Sequence, residues 1–182
     1  VLLRIKKGVG IAVFGPLILS GSAENPITLD SEDGTLDTAW SGITVLNSSS
    51  ISTISHATIK NTDYASLPGW GLTGGVVFYN SDVDLENVSF INSNAEDGLN
   101  IVKSVFSMSN CLISNTRSDG FDGDFVNGVI IDSQFDNIGG DGIDFSGSKI
   151  RANNLRFDFV KDKAVSVGES SDLVAEKLSV YN

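Results

Sequence analysis

The chain has 182 residues, of which 41% are hydrophobic and 19% are charged, so it is long and apolar enough to bury a substantial core and is not intrinsically disordered. Its 23 acidic and 12 basic residues give a net charge of −11, which argues against nucleic acid as a partner because phosphates need a surface rich in Lys and Arg. This charge favours a neutral partner or a divalent cation.

The first part of the chain predicts short, irregular strands separated by turns. The strand-like stretches are 1–5, 11–14, 17–19 and 27–29. The longest apolar run, 11–20, contains Gly15 and Pro16, so it is too short and too broken to cross a bilayer. It also lacks the layout of a signal peptide, and we therefore expect no membrane insertion.

The two ends of the sequence indicate that it belongs to something longer. The chain begins without Met and stops inside a strand pattern. We therefore expect a single domain over residues 1–182 that is an excerpt of a longer protein, with continuing domains in the parent chain.

Three residues have ordinary structural interpretations. Trp40 precedes a coil over 43–62 and is expected to pack against the corner of that coil. His56, the only histidine, falls in the outward phase of this coil, which favours a surface position over a catalytic one. Cys111, the only cysteine, lies in an inward column, which predicts a buried thiol and excludes an internal disulfide.

A loop is inserted over residues 63–75. The spacing from Ile59 to Phe90 is 31 residues, whereas equivalent positions elsewhere are 22 or 23 residues apart. Long loops on repeat proteins project from one side and often form the binding site. Trp70 and Tyr64 lie among glycines here, and an exposed aromatic ring offers a flat face to a sugar. The alternative is that Trp70 pins the loop against a coil.

From residue 76 onward the sequence repeats every 22 or 23 residues, with three short patches of alternating apolar residues in each repeat. The first patch is Val76/Phe78, Leu99/Ile101, Phe121/Gly123/Phe125, Ile143/Phe145 and Val165/Val167, the second Val83/Leu85, Phe106/Met108, Gly128/Ile130 and Ile150/Ala152, and the third Val88/Phe90, Cys111/Ile113, Ser133/Phe135, Leu155/Phe157 and Leu178/Val180. This pattern predicts an all-β solenoid, a parallel β-helix with three strands per coil and about seven coils stacked about 4.8 Å apart.

A column of asparagines follows the third patch. Its members are Asn61, Asn92, Asn115, Asn137, Phe159 and Asn182. Asparagine tolerates the left-handed conformation of tight turns, and its amide can bond the amide one coil away. With this predicted asparagine ladder, the chain resembles the right-handed parallel β-helices of the pectate-lyase-like superfamily. The phrases SDGFDGDF, GGDGIDFSGS and DKAVSVGES are similar to secreted bacterial β-helix repeat domains of surface proteins. The resemblance implies a secreted or cell-surface location.

Carboxylates are concentrated at the start of each coil. Asp97, Asp119 and Asp141 precede the first strand, and Asp122, Asp124 and Asp144 face outward on it. Two unit charges about 5 Å apart repel by roughly 1 kcal/mol in water and roughly 3 kcal/mol at an effective dielectric constant of 20. A bound cation such as Ca²⁺, an ion pair with Lys163, or protonation of one carboxylate would relieve this repulsion.

Three interpretations of these acids remain open. Asp-Gly pairs are common in turns, which accounts for the corner aspartates without any function. A cation site would use the five acids Asp119, Asp122, Asp124, Asp141 and Asp144. A carbohydrate-directed site would use Asp122, Asp144 and Lys163 as candidate catalytic residues, and Trp70, Tyr64 and Asp124 as candidate ligand-binding residues.

The resemblance implies two enzyme types, and neither residue set is complete. Polygalacturonase-type β-helices use three aspartates with nearby His, Arg and Lys, whereas His56 lies in a different coil. Pectate-lyase-type members use Ca²⁺ and a basic residue against an anionic sugar. We therefore predict a secreted or cell-surface module that contacts a polysaccharide or other glycan and is stabilised by calcium. A polysaccharide lyase or glycoside hydrolase, and a structural or adhesive spacer without a ligand, are the alternatives.

Overall fold

The computed structural model of the chain describes residues 1–65, 67 and 69–181, and the predicted ladder residue Asn182, like Ser66 and Pro68 of the predicted loop, lies outside them. The described residues form strands and one short 3₁₀ helix (Leu36–Thr38). The strands are β1 (Leu2–Ile5), β2 (Ile11–Val13), β3 (Ile18–Ser20), β4 (Ile27–Ser31), β5 (Ile43–Leu46), β6 (Ser52–Thr62), β7 (Gly74–Tyr79), β8 (Val83–Ser93), β9 (Asp97–Val102), β10 (Val105–Ser109), β11 (Leu112–Thr116), β12 (Asp119–Asp124), β13 (Asn127–Ile131), β14 (Gln134–Ile138), β15 (Ile143–Ser146), β16 (Lys149–Val160), β17 (Val165–Val167) and β18 (Asp172–Tyr181). In this described part, no helix has the length and apolarity needed to cross a membrane.

The strands wind into a parallel β-helix. Seven strands, in the order β17-β15-β12-β9-β7-β5-β2, form one sheet, here called the front sheet, and the other eleven form the rest of the wall. Each front-sheet strand begins a coil, so there are seven coils, and β1 pairs with β4 as the start of a further one. The predicted all-β solenoid of about seven coils is confirmed.

Left-handed residues make the corners of each coil. Each coil between residues 76 and 164 contains three of them, as in the coil with Lys103, Asn110 and Asn115, whose φ angles are 52°, 53° and 56°. Such residues also bend the long strands β6, β8, β16 and β18 into two segments, which confirms three strands per coil. Asparagine is frequent at these corners because it accepts positive φ at a low steric cost.

The predicted asparagine ladder is present. The Nδ2 of Asn92 donates to Oδ1 of Asn61 at 2.9 Å, and the Nδ2 of Asn137 donates to Oδ1 of Asn115 at 2.7 Å. The ladder extends below the predicted column, because the Nδ2 of Asn61 donates to Oδ1 of Asp30 at 2.6 Å. These bonds hold the same corner of successive coils in register.

Buried serines hold another corner of the coils together. The backbone N–H of Ser81 donates to Oγ of Ser104 at 2.9 Å, and that hydroxyl donates to the carbonyl oxygen of Val102 at 2.8 Å. Ser148 repeats the arrangement, since it accepts the N–H of Val126 and donates to the carbonyl oxygen of Ser146. Each hydroxyl therefore satisfies a backbone group that burial would otherwise leave unpaired.

The apolar columns fill the interior as predicted. Of the expected core residues, Phe78, Phe90, Ile101, Phe106, Ile113, Phe121, Ile130, Phe135, Phe145 and Phe157 are buried. Neighbouring coils stack these rings: Phe135 and Phe157 lie 5.0 Å apart and nearly parallel. Trp40 is buried and donates from Nε1 to the carbonyl oxygen of Lys60 at 2.8 Å, and the predicted burial of Cys111 is confirmed.

Other predicted inward positions are exposed. Val167, Leu178 and Val180 lie on the last coil, where no further coil covers them, and Val167 is 46% exposed. Phe125 is exposed for a different reason, because it occupies a left-handed corner with φ 54°, and the corner ends the alternation of the preceding strand. The inward prediction was wrong for Phe125, whereas Val167, Leu178 and Val180 keep the register of the inward columns of Phe145, Leu155 and Phe157. His56 likewise occupies a corner, with φ 47°.

Candidate functional site

The outer face of the front sheet carries two columns of polar side chains. Because successive residues of a strand point to opposite faces, Asp122 and Asp124 point outward where Phe121 and Gly123 point into the core. Strand pairing sets Asp122 beside Asn100 on one side and beside Asp144 on the other. This face therefore presents carboxyl groups from consecutive coils in one line.

In the connection from β6 to β7, residues 70–73 lie beside the outer face of the front sheet. Between these residues and the sheet lies a cleft with a volume of about 300 Å³, here called the loop cleft. It is lined by Trp70, Gly71, Leu72, Thr73, Tyr79, Asn100, Val102, Asp122 and Asp124. Trp70 meets Tyr79 edge to face at 5.1 Å between ring centroids, so the loop is held against the sheet while Trp70 stays 41% exposed.

Asp122 is held in its protonated form by its surroundings. Burial, followed by the nearby carboxylates of Asp97, Asp124, Asp144 and Asp119, raises the pKa of Asp122 to about 8. The Nδ2 of Asn100 donates to its Oδ2 at 3.0 Å. Asp122 is therefore mostly neutral near pH 7 and can donate a hydrogen bond.

Asp124 responds to the same surroundings. Burial, followed by the nearby charge of Asp144, raises the pKa of Asp124 above its ordinary value. Because Asp122 is mostly neutral near pH 7, the floor of the loop cleft carries less negative charge than the formal charge of its residues.

Asp97 is a further unusual carboxyl group. It is 2% exposed, and its Oδ2 has no hydrogen-bond partner among the described residues. Burial raises the pKa of Asp97 to about 7. The corner aspartates of later coils accept a backbone N–H from the coil that follows. At Asp97 this does not happen, because the N–H of Asp119 donates to the carbonyl oxygen of Glu96 at 2.8 Å.

The corner aspartates one and two coils on are satisfied by the backbone. Oδ1 of Asp119 accepts the N–H of Asp141 at 2.8 Å, and Oδ1 of Asp141 accepts the N–H of Lys163 at 2.9 Å. Gly140 is required here because an added Cβ would collide with Oδ1 of Asp119. These contacts are the turn interactions that the Asp-Gly pattern indicates.

Lys163 pairs with the corner aspartate of the previous coil. Its Nζ lies 3.2 Å from Oδ1 of Asp141 and 2.7 Å from Oδ2 of Asp162. These hydrogen bonds, with Asp162 first and Asp141 second, raise the pKa of Lys163. Lys163 therefore belongs with the corner aspartates and does not line the loop cleft.

The predicted site residues thus fall into separate groups. Trp70, Asp122 and Asp124 line the loop cleft, and Asp144 lies one strand beyond it. Tyr64 is 40% exposed on the same loop but does not line the cleft.

The five candidate metal ligands do not meet at one point. Asp119 and Asp141 are engaged by backbone N–H groups, whereas Asp122, Asp124 and Asp144 lie on the outer face of the front sheet. Across the part of the chain that the structure describes, no group of three or more His, Cys, Asp or Glu side chains is arranged to hold a metal ion. Calcium binding stays a prediction.

The sequence interpretation did not single out Tyr79 or Asn100, which both line the loop cleft. A signal existed for both, since Tyr79 is two residues from Val77 in the outward phase and Asn100 precedes Asp122 by one repeat of 22 residues. The course of residues 63–73 had no such signal, because the loop lies outside the repeat.

No protein-family model and no curated protein matches the chain. Among solved structures, it is similar to the catalytic domain of a GH87 alpha-1,3-glucanase in complex with nigerose, with a TM-score of 0.59 and 18% identity over 99% of this chain. An alanine variant of a GH87 alpha-1,3-glucanase in complex with tetrasaccharides matches 98% of this chain with a TM-score of 0.53 and 18% identity. Pectate lyase Pel9A matches 97% of this chain and 70% of its own, but at a TM-score of 0.26 and 12% identity.

The alignment with the glucanase covers 34% of that protein, so this chain spans about a third of the length of its structural neighbour. At this identity the likeness shows the fold. The chain is a parallel β-helix that is similar in fold to part of the glucanase catalytic domain.

Proposed function

We propose that the chain binds a glycan in the loop cleft. Trp70 and Tyr79 supply an aromatic wall, and Asn100, Asp122 and Asp124 supply a polar floor. The observation that carries the proposal is that Trp70, exposed on its loop, lines the same cleft as Asp122 and Asp124. Sugar rings have apolar C–H faces and polar rims, and such a wall and floor complement both.

The ionisation of the floor supports a neutral sugar as the ligand. With a pKa of about 8, the carboxyl group of Asp122 is mostly uncharged near pH 7 and can both donate and accept hydrogen bonds. The solved neighbour that binds nigerose has the same fold, which makes gluco-oligosaccharides the first ligands to examine.

A pair of matched substitutions tests the proposal. Trp70→Ala removes the aromatic wall and is expected to weaken the binding of a gluco-oligosaccharide by roughly tenfold or more, as for a stacked aromatic contact. Tyr64→Ala is the control, because Tyr64 has the same exposure on the same loop but lies outside the cleft. Isothermal titration calorimetry gives both affinities. Equal affinities for the two variants would overturn the proposal, and no glycan binding at all would leave the structural or adhesive spacer.

A second candidate is glycoside hydrolysis, favoured by the raised pKa of Asp122 and by its pairing with Asp144 on the next strand. A protonated carboxyl group can donate its proton to the glycosidic oxygen while a second one attacks or activates water. We then expect the release of reducing ends to be abolished by Asp122→Asn and to fall as the pH rises through about 8. A bound glycan that is never cleaved would contradict this candidate.

The location belongs to the same proposal. A glycan-binding module acts where polysaccharides are, and we infer that the protein is secreted or at the cell surface. Fractionation of cells that produce it, followed by detection in the medium and on the surface, tests this. Retention of all the protein in the cytoplasm would contradict it.

A further inference from the structure

A second face of the solenoid presents an ordered set of side chains. It is the outer surface of β10, β13 and the first segments of β6, β8, β16 and β18, here called the side face. Alternate residues of these strands, such as Leu85, Met108 and Ile130, are buried, so the residues between them point outward. Strand pairing aligns the outward residues in three columns, which are Ile51, Asp82, Val105, Asn127, Lys149 and Asp172; Thr53, Asp84, Ser107, Val129, Arg151 and Val174; and Ser55, Glu86, Ser109, Ile131, Asn153 and Glu176.

Part of the side face is apolar although it faces solvent. Val105 is 55% exposed and Val174 is 62% exposed. Val129, Ile131 and Val174 line one cavity of about 190 Å³, and Arg151 lies among them. Isolated exposed apolar residues are ordinary on a protein surface, whereas a contiguous group of them indicates a surface that contacts another molecule.

The charges of the side face are sorted by strand. Asp82, Asp84 and Glu86 make an acidic row at β8. Lys149 and Arg151 make a basic row on β16. β10 and β13, the two strands between these rows, contain no charged residue. Among the residues that the structure describes, none of the five charged side chains forms an ion pair. The two rows therefore lie at equal distances from a line that runs between β10 and β13.

This arrangement of charges is complementary to itself. A two-fold axis that runs parallel to the strands, between β10 and β13, places β8 of one copy opposite β16 of a second copy. The partner's Asp82 then faces Lys149 and the partner's Asp84 faces Arg151, and the symmetry makes each contact twice. Asp84 accepts the hydroxyl of Ser107 through Oδ1 at 2.6 Å, which leaves Oδ2 for the arginine.

Other symmetric arrangements of the same face bring like charges together. An axis parallel to the solenoid places β8 opposite β8, so that Asp84 faces its own copy. An axis parallel to the strands but shifted onto β13 places the partner's Asp82 opposite Asp172 and the partner's Glu86 opposite Glu176. Like charges that meet across an interface oppose association. Of the three arrangements, only the axis between β10 and β13 sets the acidic row against the basic row.

We propose that two copies of this chain associate through the side face as an antiparallel dimer. Six strands spaced about 4.8 Å apart, each contributing about 16 Å of length, give a contact area of roughly 460 Å² per copy. The total of roughly 900 Å² is below the roughly 1,200–2,000 Å² of a stable interface, so the dimer is weak and reversible. The front sheet stays open in this dimer, and the proposal does not depend on glycan binding in the loop cleft.

Sedimentation equilibrium measures the association directly. Concentrations of the chain from about 10 μM to about 1 mM cover the affinity of a weak interface. We expect wild-type protein to pass from monomer towards dimer within this range. Wild-type protein that stays monomeric throughout would overturn the proposal.

Charge exchange tests which residues meet. Asp84→Arg and Arg151→Asp each place like charges at both copies of one contact, and we expect each change to weaken dimerisation by roughly tenfold or more. The double variant Asp84→Arg/Arg151→Asp restores the pair with its charges exchanged, and its affinity is expected to return to within about threefold of wild type. Arg117→Asp is the control, because Arg117 is an exposed arginine outside the side face, and this variant is expected to dimerise as wild type does.

A mixture of the two single variants tests the two-fold symmetry. In a mixed dimer of Asp84→Arg with Arg151→Asp, both copies of the contact join opposite charges, so this dimer is expected to be tighter than that of either variant alone. The substituted side chains are exposed, and we expect unchanged thermal midpoints. If neither the double variant nor the mixture recovered dimerisation, or if Arg117→Asp weakened it as much as Arg151→Asp, the proposal would be overturned.

Discussion

Two columns of aspartates run along this solenoid at the same one-coil spacing, and they differ in what their carboxyl groups contact. In the corner column, Asp119 and Asp141 accept backbone N–H groups from the next coil, and Asp141 also pairs with Lys163. In the face column, Asp122 receives one bond from Asn100 and otherwise faces other acids, with Asp144 as its strand neighbour.

The difference separates structural acids from acids available to a ligand. A carboxylate that accepts backbone N–H groups is part of the fold, whereas Asp122, whose neighbours are other carboxyl groups, holds its proton and keeps hydrogen-bonding capacity. Asp97 belongs to the corner column by position and resembles the face column by its surroundings, because its Oδ2 has no partner among the described residues.

Among the tests of the difference between the two columns, the largest change in the free energy of unfolding is expected at Asp97. Its pKa of about 7 exceeds the value of about 3.9 for an unfolded aspartate, so the folded chain keeps a proton that the unfolded chain loses. Stability is therefore lost as the pH rises from about 4 to about 7. Asp97→Asn cannot ionise and is expected to be more stable than wild type by on the order of 2–4 kcal/mol at pH 8, with little difference at pH 4. Urea denaturation at both pH values measures this, and a difference independent of pH would contradict it.

A second comparison removes one acid from each column. Asp141→Ala leaves the N–H of Lys163 and a buried corner without an acceptor, and we expect a loss of about 1–3 kcal/mol in the free energy of unfolding. Asp144→Ala is the matched change three residues further along the same coil, and its expected effect is within about 0.5 kcal/mol. If urea denaturation showed equal losses in the free energy of unfolding for both variants, the structural difference between the two columns would be contradicted.

Lys163→Met tests the ion pair of the corner column. Hydrogen bonds to Asp162 and Asp141 raise the pKa of Lys163, so its contribution is present below the unfolded pKa of lysine and is lost as the pH rises through the folded value. The pair also weakens once the carboxylates are protonated. We expect Met to lower the thermal midpoint modestly at pH 7, because the lysine is exposed, and to lower it less near pH 4. The same loss at pH 4 and pH 7 would argue against the pairing.

Calcium has the smallest expected effect. If the face column held the ion, millimolar Ca²⁺ would raise the thermal midpoint relative to EDTA, because a ligand that binds the folded state stabilises it. The control is Asp122→Asn/Asp144→Asn, which removes the two paired acids and is expected to abolish the rise. Identical midpoints in Ca²⁺ and EDTA would leave backbone hydrogen bonds as the account of the corner column.

The coil and its core could be predicted because they depend on local, repeated chemistry. A period of 22 or 23 residues with alternating apolar patches specifies a stack of strands, and asparagine marks a left-handed corner, as at Asn92 and Asn115. Phe125 shows where this stops. Phe125 continues the alternation of Phe121 and Gly123 in the sequence. In the structure, however, Phe125 is the corner residue, and the corner ends the alternation of inward and outward side chains before the next strand begins.

The site was less predictable because it depends on contacts across the repeat. Asp122 and Trp70 were candidates by residue type, but only the position of residues 70–73 beside the front sheet brings them to one cleft. Burial raises the pKa of Asp97, and the N–H of Asp119 bonds the carbonyl oxygen of Glu96 and not the carboxyl group of Asp97. No sequence pattern predicts which of these two acceptors the N–H of Asp119 bonds.

The connection over residues 63–73 leaves the coils beneath it undisturbed, since β6 pairs with β8 and β5 pairs with β7 in the ordinary register on either side. Its length is therefore uncoupled from the rise of the solenoid. Evolution or an engineer could graft a different segment between Thr62 and Gly74 and change what the face recognises while every strand keeps its partner. The β-helix would then serve as a constant scaffold for exchangeable loops, so that ligand recognition could change while the fold stays the same.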